Sequence, residues 1–223
     1  MLQNIFGKVY DNQRPDSISA NLRNKRMALF SSLTSCLPTH LRILDIGGRP
    51  NFWENTNFIS EHDKNIDLTI VNVEQIQHPN FKCIVGDARN LNNFENKQFD
   101  IVFSNSVIEH VGDYEDQLKM ANEIIRLGKA YFIQTPNLYF PIEPHFVFPF
   151  FQFLPISLRI YLLMHFDLGW RKKTTDREKA KSSVTSIKLL SKNALSNLFP
   201  QGEIYEEKFL GMTKSFVVYS KLQ

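Results

Sequence analysis

The chain has 223 residues, 43% of them hydrophobic and 22% charged. That balance supports one domain with its own packed core and excludes a chain disordered throughout. A net charge of +3 with no block of like charges argues against a nucleic-acid-binding arm.

Two cysteines, Cys36 and Cys83, are too few for a disulfide framework and match no zinc spacing. They read as small buried apolar residues. The first sixteen residues lack the apolar core of a signal peptide, so a cytoplasmic location is expected.

In chain order, residues 17–36 space Ile18, Leu22, Met27, Phe30 and Leu33 as on one side of a helix. Asp16 or Ser17 would cap it and Pro38 would end it. Leu41–Ile46 is a short apolar run closing on Gly47-Gly48, the pattern of a buried strand and a tight turn. Phe52–Ile59 reads as a short helix, and Asp67–Val73, Phe81–Val85 and Phe99–Ser104 as strands. Residues 112–127 read as a helix with Leu118, Ala121, Ile124, Ile125 and Leu127 on its apolar side, followed by a strand over Ala130–Gln134. Strands alternating with helices favour a parallel α/β sheet covered on both faces. Ser186–Phe199 is predicted as a helix leading into an antiparallel edge hairpin, Glu203–Phe209 and Ser215–Lys221.

The stretch His145–Phe166 is nearly long enough to span a bilayer. Pro149 and Pro155 break it, and Gln152 and Arg159 add polarity, so a buried helical insertion or apolar lid is expected. Shallow contact with a membrane surface is the alternative. The short cluster Arg171, Lys172 and Lys173 reads as a solvated loop.

Five segments in order carry a resemblance: ILDIGGRPNFW at 43–53, the strand ending Asn72-Val73-Glu74, Gly86-Asp87-Ala88, FDIVFSNSVIEHV at 99–111, and Thr135-Pro136-Asn137. With them the chain resembles the class I S-adenosylmethionine-dependent methyltransferases of the type 11 group. The resemblance implies a Rossmann-like seven-stranded, mostly parallel sheet with a C-terminal antiparallel hairpin and helices on both faces. It implies a single domain: an N-terminal helical segment (1–40), a cofactor-binding core (41–137), an acceptor-side insertion or lid (138–185), and a C-terminal helix and hairpin (186–223).

It also implies S-adenosylmethionine as cofactor and methyl transfer to a small-molecule acceptor, most simply at a hydroxyl group. Gly47 and Gly48 would admit the methionine part of the cofactor, with Asp45 orienting the loop or accepting from the amino group. Glu74, or else Asn72, would accept from the ribose hydroxyls. Asp87 would accept from the adenine amino group beside the backbone N–H of Ala88. Ser104 and Asn105 would lie near the sulfonium. The family loop has further glycines where this chain has Arg49 and Asn51. Arg49 would contact the cofactor carboxylate or face solvent.

For a protonated acceptor a general base is needed, and Glu109, His110, Glu143 and His145 are the candidates. Glu109 and His110 would open the helix after the fourth strand, where a carboxylate complements the helix N-terminus. Pro141 and Pro144 hold Glu143 and His145 in an extended stretch after the fifth strand, on the acceptor side. Glu109 and His110 resemble part of the Glu-x-x-Glu-His motif of metal-dependent methyltransferases, but Ser106 replaces its first Glu. No metal site is expected on that basis. The Gly-x-Gly-x-x-Gly fingerprint of nicotinamide enzymes is absent after the first strand. A non-catalytic, membrane-docked or binding version of the same fold is the alternative reading.

Overall fold

In the computed structural model, residues 18–35, 37, 40–56, 58–61 and 66–220 are described. Strands β1 (Leu41–Ile46), β2 (Ile66–Asn72), β4 (Phe99–Asn105) and β5 (Gly128–Pro136) are buried along most of their length. Strands covered on both faces need apolar residues at consecutive positions, which is why they read as runs rather than alternations. With β3 (Lys82–Val85), β8 (Glu203–Phe209) and β9 (Met212–Tyr219) they form one sheet in the order β3-β2-β1-β4-β5-β9-β8. The first five run parallel, whereas β9 is antiparallel to both β5 and β8. The chain builds outward from β1 to β3, then restarts at β4 on the other side of β1. That reversal leaves a crevice beyond the carboxyl ends of β1 and β4, where open α/β sheets bind ligands.

Each face of the sheet has its own core. On one, Phe30 of α1 (Ile18–Thr34) meets Phe103 and Phe132 edge-on at 5.2 and 5.1 Å, beside the fully buried Trp53. On the other, helix α4 (Tyr114–Leu127) buries Met120, Ala121, Ile124 and Leu127. Asp113 caps α4 by accepting from the backbone N–H groups of Glu115 and Asp116, whose own carboxylates complement the helix N-terminus. Leu118, expected on the apolar side, is 40% exposed. It lies one residue, about 100° of helix rotation, beyond the buried Gln117.

Other expectations are corrected in detail. The helix predicted over Phe52–Ile59 is two short ones, α2 (Pro50–Glu54), with Pro50 in the first turn, and α3 (Phe58–Glu61). The helix predicted over Ser186–Phe199 is α7 (Lys192–Leu198) alone. Ser186 instead ends α6 (Arg177–Thr185), Leu190 bridges to Asn137, and Ser191 caps α7 by accepting from the Ala194 N–H. Strand β9 begins at Met212, three residues earlier than predicted, because Leu210-Gly211 alone make the turn. Cys83 is half-buried and free. Cys36, Pro38 and the proposed caps Asp16 and Ser17 lie outside the described residues.

Between β5 and α7 the chain forms a small third core from Phe146, Phe151, Ile160, Leu163, Leu168, Ala180 and Val184. It comprises a short hairpin, β6 (Ile142–Glu143) and β7 (Phe148–Pro149), then α5 (Ile156–His165) and α6. The Phe-rich stretch is therefore α-helical only over α5, with a 3₁₀ turn at Phe151–Phe153 before it. Among the described residues no helix is long and apolar enough to cross a membrane.

Candidate active site

The carboxyl ends of β1, β2 and β3 open into a cleft of about 650 Å³ whose wall includes Gly47, Arg49, Asn72, Glu74, Asp87, Ala88, Ser106 and His110. At its floor Gly47 has φ +76°, and a Cβ there would come within 2.5 Å of the Val107 side chain. A Cβ on Gly48 would fall 1.7 Å from Asp45 Oδ2. The two glycines thus let the loop lie flat over Asp45 and beside Val107.

Asp45 is buried beneath this loop, accepting from Trp53 Nε1 at 2.7 Å with its other oxygen unpartnered. Burial pushes its carboxyl up to about 7, against the hydrogen bond from Trp53. Asn72 braces the loop: its Nδ2 donates to the carbonyls of Gly48 (2.9 Å) and Gly47 (3.3 Å), and its Oδ1 accepts from the Glu74 N–H (3.1 Å). Those three bonds commit the Asn72 side chain to the loop, leaving Glu74 the exposed acid at the end of β2.

Both acids of the cleft mouth carry an arginine. Arg49 Nη2 reaches Glu74 at 2.5 Å, so Arg49 neither faces solvent alone nor stands clear of the acid. Arg89 grips Asp87 through Nη2 (2.6 Å) and Nε (2.9 Å), and that hydrogen bonding holds the Asp87 carboxyl below the usual range. Ser104 is fully buried and donates to the Ile46 carbonyl, and Asn105 accepts from Arg26. Neither lies in the wall of this cleft. Asn105 instead borders a second, smaller cleft of about 180 Å³ with Arg23, Phe52, Gln134, Phe140, Trp170 and Lys214. Ser106 borders both.

The four base candidates meet in space. Glu109 and His110 belong to a 3₁₀ turn, Ile108–His110, and do not open the helix; α4 starts after Asp113. Glu109 is fully buried, accepts from Thr135 Oγ1 at 2.9 Å, and leaves its other oxygen unpartnered. Burial pushes its carboxyl up to about 7. The short β6–β7 hairpin returns Glu143 and His145 to this turn. Glu143 is buried and fully engaged: Oε1 meets His145 Nδ1 at 2.6 Å, and Oε2 accepts from the N–H groups of His145 (2.8 Å) and Phe146 (2.7 Å). His145 Nε2 and His110 Nε2 lie 3.0 Å apart with their rings at 88°. The protein around His110, and then the charges of His145 and Arg171, lower its pKa to about 4.

Trp53, Thr135, Val107 and Arg89 had no site role assigned from the sequence. Arg89, two residues after Asp87, had a local signal in that spacing; the others act across turns or strands.

The strand order, with β9 inserted antiparallel between β5 and β8, is joined by independent comparisons. A family model described as "Methyltransferase domain" matches residues 62–132. A structure described as a SAM-dependent methyltransferase from Archaeoglobus fulgidus superposes with a TM-score of 0.57 at 14% identity, covering 100% of both chains. The PH0226 protein of Pyrococcus horikoshii gives 0.54 at 16% identity, covering 100% of this chain and 98% of that one. The chain has the class I methyltransferase fold. An uncharacterized protein of Mycobacterium tuberculosis is 34% identical over 64 residues, which are 29% of this chain. The match spans only 22% of that relative's length.

Proposed function

We propose that this chain binds S-adenosylmethionine and transfers its methyl group to a hydroxyl group of a small-molecule acceptor. The observation that carries the reading is one cleft that lines up the flat glycine turn after β1 with Glu74 and Asp87, just past the ends of the next two strands, β2 and β3. The residues fit that cofactor. Gly47 leaves open backbone where a side chain would intrude, and each ion-paired carboxylate keeps lone pairs for hydroxyl or amino donors. Glu74 would take the ribose hydroxyls, Asp87 the adenine amino group, and Gly47 the methionine end, with Asn72 and Asp45 shaping the loop. When bound there, S-adenosylmethionine supplies a methyl group on a positively charged sulfur, which leaves with the electron pair of the broken C–S bond.

The chain's own part is alignment and proton removal. Aligning the reacting groups can supply roughly 7–11 kcal/mol of barrier lowering. The second cleft, joined to the first at Ser106, would seat the acceptor; Phe52, Phe140 and Trp170 suit a hydrophobic portion of it. Glu143 accepts from His145 Nδ1–H, which puts the Nε2 lone pair toward His110; once that 3.0 Å contact opens, the lone pair would take the acceptor's proton.

A membrane-surface contact is proposed with it. Phe150, Phe153, Tyr161, Phe166 and Trp170 are each more than half exposed on the insertion, and Arg171, Lys172 and Lys173 follow directly. Exposed aromatic residues with basic residues next to them in the sequence would suit an anionic lipid headgroup region.

Calorimetric titration with S-adenosylhomocysteine tests the cofactor reading, with NAD as control. Micromolar binding, near −8 kcal/mol, is expected for the first ligand and none for the second. Glu74→Ala should weaken it more than about tenfold, or 1.4 kcal/mol. Wild-type protein that ignores S-adenosylhomocysteine sinks the proposal.

A further inference from the structure

We infer that Glu109, His110 and His145 form a three-ligand site for a divalent transition-metal cation where the two clefts meet. The inference rests on the methyl-transfer reading for its purpose, but on geometry for its existence. One ligand atom from each residue lies within 4.8 Å of the other two. Two imidazole nitrogens bound about 2.1 Å from one ion at a right angle stand about 3.0 Å apart. His110 Nε2 and His145 Nε2 are 3.0 Å apart.

Two further observations point to a cation rather than a bare histidine pair. Glu109 is fully buried, and among the described residues one of its carboxylate oxygens has no hydrogen-bond partner, though the other has Thr135. A buried carboxylate left half-satisfied is costly, and a cation beside it offsets that cost. Glu143 supplies the outer support that metal-bound histidines ordinarily have. Its Oε1 engages His145 Nδ1 at 2.6 Å, which fixes the tautomer whose free lone pair is on Nε2. Two backbone N–H groups then hold Glu143 itself, so the ring cannot swing away without breaking that set. Glu143 is therefore a positioning residue here.

Two nitrogens and one carboxylate oxygen suit a borderline divalent ion such as Zn²⁺, Mn²⁺, Co²⁺ or Fe²⁺. Three protein ligands leave positions open, as catalytic sites do. Of the three residues His110 lines the cofactor cleft, and Pro144, next to His145 in the chain, lines the second cleft. An acceptor hydroxyl taking an open position on the ion would release its proton to water more readily, as metal-bound water does. The ion would acidify the hydroxyl, and water would take the proton that His145 would otherwise accept.

The test uses the full chain, stripped with chelator and titrated with Co²⁺ in the visible spectrum, then with Zn²⁺ and Mn²⁺ by calorimetry. One equivalent should bind, with d–d absorption for Co²⁺. His145→Asn and Glu109→Gln should each weaken uptake by about 100-fold or more, and Glu143→Gln by about 10- to 100-fold. S-adenosylhomocysteine affinity, measured on the same samples, should stay at the wild-type value in all three and so certify the fold. Wild-type protein that binds S-adenosylhomocysteine but none of the three ions overturns the inference and leaves the histidine pair as the proton acceptor. Uptake unchanged in both His145→Asn and Glu109→Gln overturns it equally, since the ion then sits elsewhere. Ion uptake lost in the variants, in a protein that never binds S-adenosylhomocysteine, upholds the metal site and removes the methyl-transfer reading instead.

Discussion

Asp45→Asn isolates the cost of burying an acid under the glycine turn. Among the described residues Asp45 has a single hydrogen bond, from Trp53, and burial raises its carboxyl from about 3.8 to about 7. A carboxyl whose native pKa lies above its unfolded value holds its proton more tightly in the folded state. Its contribution to stability is therefore full below about pH 4 and is lost as pH rises through 7. Integrating between pH 5 and pH 8 gives a loss of about 2.5 kcal/mol, and the whole shift corresponds to roughly 4 kcal/mol. Asparagine cannot titrate, yet its Oδ1 can still accept from Trp53 Nε1. Urea unfolding of both proteins at pH 5 and pH 8 measures the difference, and other titrating groups cancel in it. The stability of Asp45→Asn relative to wild type should improve by about 2.5 kcal/mol from pH 5 to pH 8. An unfilled amide donor would shift both values by the same ~1–3 kcal/mol and leave the change intact. A difference that does not move with pH would refute the burial argument.

Gly47→Ala should cost about 1–3 kcal/mol, because its φ is +76° and its Cβ would crowd Val107. Adding Val107→Ala should recover the crowding part but not the backbone part; equal melting temperatures for wild type and Gly47→Ala would show that the turn relaxes freely. Arg26→Met should cost about 3–5 kcal/mol in urea unfolding, since it strands the buried Glu207 that Arg26 meets twice at 2.8 Å. The double change with Glu207→Leu should recover most of that loss, and a single-variant cost below about 1 kcal/mol would contradict the pairing.

The central strands were legible because sheet strands covered on both faces need apolar residues at consecutive positions. β1, β2 and β4 each hold such a run, Ile43-Leu44, Ile70-Val71 and Ile101–Phe103. Leu118 misled because a helix face shifts by about 100° per residue, so an apolar residue one place off the stripe points to water. The join of α6 and α7 was hidden by Leu189 and Leu190, which continue the apolar spacing of Leu195 and Leu198 straight across the Ser191 cap. In the site, Glu74 and Asp87 could be read because an acid just after a strand must sit at the crevice. Of their arginines, Arg89 had a local signal in its two-residue spacing from Asp87, whereas Arg49 had none, since long side chains choose partners in space and it lies 25 residues from Glu74. The neighbourhood of Glu109 was equally hidden. Its partner Thr135 is 26 residues away on β5, and His145 returns to His110 across 35 residues through a two-residue-stranded hairpin. A lost Glu at Ser106 weakened the metal reading by motif, whereas the fold assembles three of the donors regardless.

The bond between Arg26 and Glu207 also sets a timetable. It fastens α1, the first described helix, to β8 across 181 residues of chain. At a synthesis rate of about 5–20 residues per second, α1 waits roughly 10–35 s after its own translation before its anchor exists. Phe30 of α1 is one of the rings that close the aromatic core over Phe103 and Phe132. Until the closing hairpin is made, that face of the sheet is a nascent surface without its latch, and chaperone engagement or aggregation would be concentrated in that interval.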